Sequence, residues 1–256
     1  MSSLPIRIGQ PDSDAVAEDI RREALGELRR FNFDLTLDHI AKLTPATGKR
    51  LLDVGCAHGW FLEAAAKRGH ACFGVEPDAD VVEPEARRVA TIWNGFFPDA
   101  VPQGETFDII SWNDSLEHLP NPRMAVQESF ARLRSGGLLV VKVPSADGLF
   151  FRAAALASVL GVHGPRDRMW QKPFPSPHIS YFNRSQLTRM TASAGFVPAA
   201  SHELQAVSPK ALWNRICYDK SISKPAAIAS WAASMMLVPL LRIFPSDAML
   251  EIFKKP

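Results

Sequence analysis

The stretch from Arg50 to Trp60 constrains the fold more than any other part of the chain. Leu51 to Val54 reads as a short strand, and the residues after it make the backbone turn at once. Gly55 and Gly59 carry no Cβ, so the chain can reverse tightly there and approach a ligand closely. Trp60 to Arg68 then reads as a helix, with Gly69 in the position that closes one. A strand, a glycine turn and a helix N-terminus in that order form the cofactor cradle of a doubly wound α/β fold.

The turn residues bear on which cofactor the cradle takes. A dinucleotide fold usually carries G-x-G-x-x-G, whose glycines bring a pyrophosphate onto the helix N-terminus. This chain has D-x-G-x-x-x-G, with Ala57 where a middle glycine would stand and Asp53 closing the strand. A carboxylate there repels a pyrophosphate but holds an ammonium, directly or through water. The pattern resembles motif I of the class I S-adenosylmethionine (SAM) methyltransferases, whose cofactor carries an amino acid and a sulfonium in place of phosphates. Glu76 ends the next strand, Ala71 to Glu76, where an acid can accept both ribose hydroxyls of SAM or of NAD. The candidate cofactor contacts are Asp53, Gly55, Cys56, Ala57, Gly59, Glu76, Pro77 and Asn113. Cys56 itself reads as a small packed residue, with a reactive thiol as the other reading.

Residues 1–13 read as loose, followed by a helix from Asp14 and a second short one from about Leu35 to Leu43, stopped by Pro45. The two would cover the sheet edge or the cofactor mouth. Pro77 to about Val89 reads as one helix, Ala90 to Trp93 as a third strand, and Asn94 to Asp99 as a loop where adenine can lie. Phe107 to Trp112 is a fourth strand. Asn121 and Pro122 open a helix whose buried face is Met124, Val126, Phe130 and Leu133, with Gly136-Gly137 at its end. Leu138 to Val143 is a buried fifth strand, apolar apart from Lys142.

An insertion over residues 144–181 holds an apolar helix from Phe150 to Leu160, a polar turn from Gly164 to Arg168, and a proline- and aromatic-rich segment from Trp170 to His178. That segment reads as a substrate lid or as a packing loop. Ser185 to Phe196 leads into strand six, about Val197 to Leu204, whose antiparallel hairpin partner is the last strand, Ala248 to Lys254. The expected organisation is a helical cap (1–47), a core (48–204) carrying the lid insertion, an apolar helical insertion (205–247) and a final core strand (248–256).

From Leu51 to Val143 the chain resembles the SAM-binding core of the class I methyltransferases, and within them the ubiquinone-pathway O-methyltransferases and their neighbours. The shared features are Phe107-Asp108 in strand four, the D-x-L-E-H turn from Asp114 to His118, Pro122 opening a helix, and Gly136-Gly137 before strand five. The S-x-x-L…A-G-F pattern, Ser185 to Phe196, belongs to the same likeness. The resemblance implies an α/β, doubly wound, mostly parallel seven-stranded Rossmann-like sheet with an antiparallel last strand, and transfer of a methyl group from SAM.

Methyl transfer to a hydroxyl needs the nucleophile aligned and its proton removed. His118, just beyond strand four, has the right ordinary pKa for a general base, about 6.5; its other reading is a cap for the helix opening at Asn121. Asp114, Glu117, His118 and His178 together resemble the divalent-metal cluster of plant small-RNA 2′-O-methyltransferases and of ubiquinone-pathway relatives. The implied ion is Mg²⁺, Mn²⁺ or Zn²⁺, holding the acceptor hydroxyls and lowering their pKa.

Composition excludes some classes. Apolar residues make up 46% and charged residues 22% of 256, as in a soluble globular protein, and a formal charge of +2 with interspersed signs gives no nucleic-acid signature. Three cysteines without metal-like spacing fit a reducing cytosol, and Met1 to Pro11 shows no secretory signal. The uncharged run 225–241 is shorter than the roughly 20 residues of a spanning helix and contains Pro239, so it reads as a packed helix or as a membrane-surface helix. The expected activity is SAM-dependent O-methylation of a small-molecule, sugar or lipid-linked acceptor. The alternatives are a non-catalytic SAM-binding protein and a nicotinamide oxidoreductase, the latter disfavoured because G-x-G-x-x-G and a Tyr-x-x-x-Lys pair are missing.

Overall fold

Alternating apolar residues that bury both faces of one sheet set the architecture. In the computed structural model, which describes residues 11–172, 176–206, 213, 216, 223–237 and 243–256, the strands are β1 (Arg50–Val54), β2 (Ala71–Glu76), β3 (Ala90–Asn94), β4 (Phe107–Asn113), β5 (Leu133–Pro144), β6 (Val197–Leu204) and β7 (Ala248–Lys254). Their order is β3-β2-β1-β4-β5-β7-β6. β1 pairs in parallel with β2 and β4, β2 with β3, and β4 with β5, while β7 runs antiparallel to both β5 and β6. Adjacent residues of a strand point to opposite faces. Leu52, Ile110 and Leu139 therefore pack into one core layer, and Leu51, Ile109 and Leu138 into the other.

Two helices cover the first layer: α4 (Pro122–Arg132), contributing Val126, and α7 (Arg184–Ala192), contributing Leu187 and Met190. The second layer is closed by α1 (Pro11–Leu43) and α2 (Trp60–Lys67). Leu37 and Ile40 of α1 are fully buried, and burial of such side chains is worth about 1.5–3 kcal/mol each.

Several local expectations needed correction. The two N-terminal helices are one, because nothing between Leu28 and Leu35 breaks a helix; the polar residues there are docking groups. Asn32 is buried and its Nδ2 donates to the carbonyl of Gln205 at 2.8 Å, and Thr36 Oγ1 donates back to the carbonyl of Asn32. The helix expected from Pro77 is split into a 3-10 turn (Ala79–Val81) and α3 (Pro84–Val89), because Pro84 has no N–H to continue a helix and instead opens a new one after the extended Glu83. Gly136 and Gly137 do not end α4. The helix stops at Arg132, and both glycines lie inside β5, where a Cβ on Gly137 would sit 2.8 Å from the carbonyl oxygen of Arg134 and 3.0 Å from that of Asp108. The buried face of α4 is Ala125, Val126 and Ser129; Met124 is exposed. The insertion after β5 forms α5 (Leu149–Val159), and the polar turn expected at Gly164 is a short helix, α6 (Gly164–Met169). In the second insertion α8 spans Lys224–Leu237. Residues 173–175 of the expected lid and 238–241 of the uncharged run lie outside the described residues.

Asn121 caps α4 as expected, accepting from the Met124 N–H at 3.2 Å. The indole N–H of Trp112, on β4, donates to Ser129 Oγ on α4 at 3.1 Å, with both residues buried. Ser129→Ala leaves that N–H without a partner in the core, which costs about 1–3 kcal/mol. Urea unfolding of this variant is expected to show a lowered midpoint with an unchanged slope.

Candidate active site

The cofactor cradle is built where β1 stops. Gly55, Ala57 and Gly59 all take left-handed φ values (73, 45 and 82°), which glycine adopts freely and alanine does not. A Cβ on Gly55 would lie 2.8 Å from that of Ser115, and one on Gly59 would lie 2.2 Å from that of Ala86, so packing also requires glycine at both. The turn is pinned to the end of β2. Gly55 and Cys56 donate their N–H groups to the carbonyl of Val75, and the Ala57 N–H donates to Glu76 Oε2 at 2.8 Å. Glu76 Oε1 accepts from the Asp78 N–H at 3.0 Å. Burial raises the Glu76 carboxyl above its ordinary range, and these two N–H bonds hold it back. Cys56 is buried, and burial pushes its thiol up, which removes the reactive-thiol reading.

Asp53 is buried between strands. Its Oδ1 accepts from Ser111 Oγ and Asn113 Nδ2, each at 2.8 Å, and burial, partly opposed by these bonds, raises the carboxyl to about 6. Asn113 Oδ1 is buried with no hydrogen-bond partner. An acceptor left unsatisfied beside a carboxylate suits an ammonium group, and it lies where the strand order reverses between β1 and β4, the usual ligand crevice of such sheets. The residues therefore fit SAM: Asp53 and Asn113 for its amino group, Glu76 for its ribose.

A second group of polar side chains follows β4. Asp114 stands at φ 54° and its carboxylate pairs with the ammonium of Lys142, the buried one of the two charged residues of β5. Burial raises Asp114, but Lys142 and then Arg29 outweigh it and leave the carboxyl below its ordinary range. The 3-10 turn Leu116–His118 then buries Glu117 completely, with neither carboxylate oxygen hydrogen-bonded. Burial first, and Asp114 second, push Glu117 up to about 8. The Nε2 atoms of His118 and His178 each lie 4.0 Å from Glu117 Oε1.

Neighbouring groups fix which ring nitrogens face this carboxylate. His118 Nδ1 lies 2.9 Å from the carbonyl oxygen of Pro177, which can only accept, so Nδ1 carries the proton. Tyr181 donates its hydroxyl to the carbonyl of Met169 at 2.7 Å, so its oxygen accepts from His178 Nδ1 at 3.2 Å. Both imidazoles thus turn Nε2 toward Glu117. His178 is held there by the segment after the lid, since the N–H groups of Ile179 and Ser180 both donate to the Glu117 carbonyl, at 2.9 and 3.0 Å. Ligand atoms of Glu117, His118 and His178 fall within 4.8 Å of one another, a span one cation can bridge.

The structure therefore brings together the turn residues, Glu76 and Asn113, and separately Glu117, His118 and His178; Asp114, read with the latter set, is turned to Lys142. Sequence reasoning missed Lys142 as that partner and Tyr181 as the support of His178. The signal for Lys142 was a single charge in an otherwise apolar strand; Tyr181 had none, because its role depends on how the insertion folds back.

This sheet order, with its reversed seventh strand and acid-flanked cradle, defines the class I SAM-dependent methyltransferase fold. The chain belongs to the family described as the methyltransferase domain, whose model matches residues 24–200. It is 28% identical to the ubiquinone biosynthesis O-methyltransferase of Ralstonia nicotianae over 180 residues, covering 67% of this chain and 72% of that protein. To the Xylella fastidiosa protein of the same name it is 31% identical over 114 residues, 41% of this chain and 46% of that one, so the chain spans about half the length of several relatives it matches. Among solved structures it is similar to a SAM-dependent methyltransferase from Thermotoga maritima (TM-score 0.60, 17% identity, 92% of this chain and 95% of that one). A plantazolicin methyltransferase bound to S-adenosylhomocysteine matches as well (TM-score 0.60, 14% identity, 97% and 92%). The choice between nicotinamide and SAM is thereby decided for SAM.

Two outcomes follow for cofactor binding. Glu76→Ala removes the acid that would accept the ribose, together with the Ala57 anchor, and is expected to weaken SAM binding roughly tenfold to a hundredfold by calorimetry. Asp53 with its pKa raised to about 6 keeps its proton in the folded state above 3.8, where the unfolded chain loses it, so this group's contribution to stability falls as pH rises through that window. SAM affinity moves the other way, because an ammonium needs the ionised form: it should rise as pH passes about 6, and Asp53→Asn should flatten the profile.

Proposed function

We propose that this protein transfers a methyl group from SAM to a hydroxyl oxygen of a small-molecule, sugar or lipid-linked acceptor, with Glu117, His118 and His178 as the group that receives and activates that hydroxyl. The observation that carries the reading is the buried Glu117 carboxyl without a hydrogen-bond partner, faced by Nε2 of His118 and of His178, whose ring orientations Pro177 and Tyr181 fix. SAM, when bound, supplies an electrophilic methyl on a sulfonium and most of the driving force. Asp53 and Asn113 would hold its amino group and Glu76 its ribose, at the same end of the sheet as the residues after β4. His118 Nε2 accepts the hydroxyl proton, and the Nδ1 bond to Pro177 keeps the ring in the tautomer that can do so.

The three side chains also fit a divalent cation, Mg²⁺, Mn²⁺ or Zn²⁺; His118 Nε2 would then be a ligand and no longer the base, and the cation would lower the pKa of the acceptor hydroxyl so that water can take its proton. His178 reaches this group because the N–H groups of Ile179 and Ser180, which follow it, both donate to the Glu117 carbonyl. The names of the Ralstonia and Xylella relatives support oxygen as the acceptor atom.

The test is release of S-adenosylhomocysteine with a panel of phenolic, sugar and polyprenyl acceptors. His118→Ala is expected to lower kcat at least about a hundredfold, the usual contribution of a positioned base, with SAM affinity unchanged. EDTA is expected to abolish turnover while SAM still binds, and added Mg²⁺, Mn²⁺ or Zn²⁺ to restore it. Full turnover in chelator would remove the metal from this reading and leave His118 acting alone.

A further inference from the structure

The two insertions leave the sheet at one place. Ala248 at the start of β7 pairs with Pro144 at the end of β5 and with Leu204 at the end of β6. The chain between β5 and β6, and that between β6 and β7, therefore rise from neighbouring strand ends. β1 and β4 run parallel with β5, so this is also the rim that carries the cofactor cradle.

What the two insertions present is unusually apolar. In α5 and the turn after it, Leu156, Val159 (83% exposed), Leu160 (75%) and Val162 stand out of the core. Lys224 is the one charged residue of α8, whose fourteen positions are otherwise alanine, serine, proline and large apolar side chains. Ile228, Trp231 and Met236 (75% exposed) face outward, and among its described side chains only Ala227 is buried, against Ile216. Ile243 (76% exposed) and Phe244 follow, next to the start of α5, where the Leu149 N–H donates to the carbonyl of Pro245. A helix apolar on every side belongs inside something.

Charge indicates what covers it. Residues 144–181 and 205–247 together hold nine Lys and Arg against four Asp and Glu, a net +5 in a chain whose total is +2. Of the acids, Asp167 is paired with Lys172, and Asp247 accepts the Phe150 and Phe151 N–H groups at the start of α5. Arg152, Arg166 and Lys224 are exposed beside the apolar residues. Two copies meeting through such faces would bring like charges together, whereas a bilayer with anionic headgroups satisfies the apolar and the basic side chains at once.

We propose that α5, α8 and the segment at Ile243 and Phe244 form one face that docks the protein on an anionic lipid bilayer, with the rim of the active site toward the lipid. Docking itself does not depend on the reaction chemistry; only the corollary that the acceptor arrives from the bilayer rests on the O-methyl transfer reading.

The experiment is co-sedimentation of the full chain, without SAM and in chelator, with vesicles of phosphatidylcholine alone or mixed with phosphatidylglycerol. Binding is expected to the mixed vesicles, to weaken as salt is raised, and to fall at least about tenfold in Val159→Asp/Leu160→Asp and in Ile228→Asp/Met236→Asp. Calorimetric SAM binding by these variants, unchanged, shows that they fold. Absence of binding to the mixed vesicles overturns the proposal, as does binding that the aspartates leave intact. A concentration-dependent dimer that the aspartates dissolve would assign the face to a second copy instead. Because binding is read without cofactor or metal, a protein that sediments with vesicles yet turns over in chelator fails only the metal reading.

Discussion

The backbone reversal after β1 is the constraint on which the rest depends. Within five residues the chain passes from a strand at the centre of the sheet into α2, and it does so through three left-handed positions, one of them an alanine. Left-handed alanine costs about 1–2 kcal/mol. The Ala57 N–H is aimed at the Glu76 carboxylate by that same conformation, and a charge-assisted bond of this kind offsets the cost. The turn is thus tied to the neighbouring strand by the acid that would hold the ribose. The carboxylate proposed for binding is thus already fixed by the Ala57 and Asp78 N–H groups, so the cradle is in place before any cofactor arrives.

Beyond β4 the organising force is electrostatic. Four carboxyl groups, Asp53, Glu76, Asp114 and Glu117, gather along one rim, and burial works against ionising all of them. Each is handled differently. Asp53 shares two side-chain donors, Glu76 takes two backbone N–H groups, and Asp114 takes the ammonium of Lys142. Glu117 receives no donor, and its pKa is the one pushed furthest up among the four. A buried group left in that state sits poorly with a purely structural role.

Much of this was legible in the sequence because it rests on local rules. Strand runs with buried residues on both faces, the glycine turn, the acid closing β2 and the Asn-Pro helix start all follow from short-range sterics and periodicity, and they lie where expected. Boundaries failed where tertiary contacts override local preference. α1 continues through Asn32 because the carbonyl of Gln205, distant in sequence, takes its amide. β5 continues through two glycines because β4 and β7 supply its partners. The chemical groups after β4 were readable as a set of residue types, but their pairing was not. Whether Asp114 turns to Lys142 or to the histidines depends on a contact between strands and on how the insertion folds back.

The register at Pro144, Ala248 and Leu204 has a consequence for how such a chain can change over time. Both excursions begin and end within a few ångströms of one another, on strands whose other residues are occupied with holding the sheet together. The half of the molecule that would grip the methyl donor is encoded upstream of them, in β1, β2 and β4. Whole excursions can therefore be lengthened, shortened or exchanged as cassettes without retuning the donor half. A new acceptor is then reached by rewriting two surface segments, while the inherited engine beneath them stays as it was.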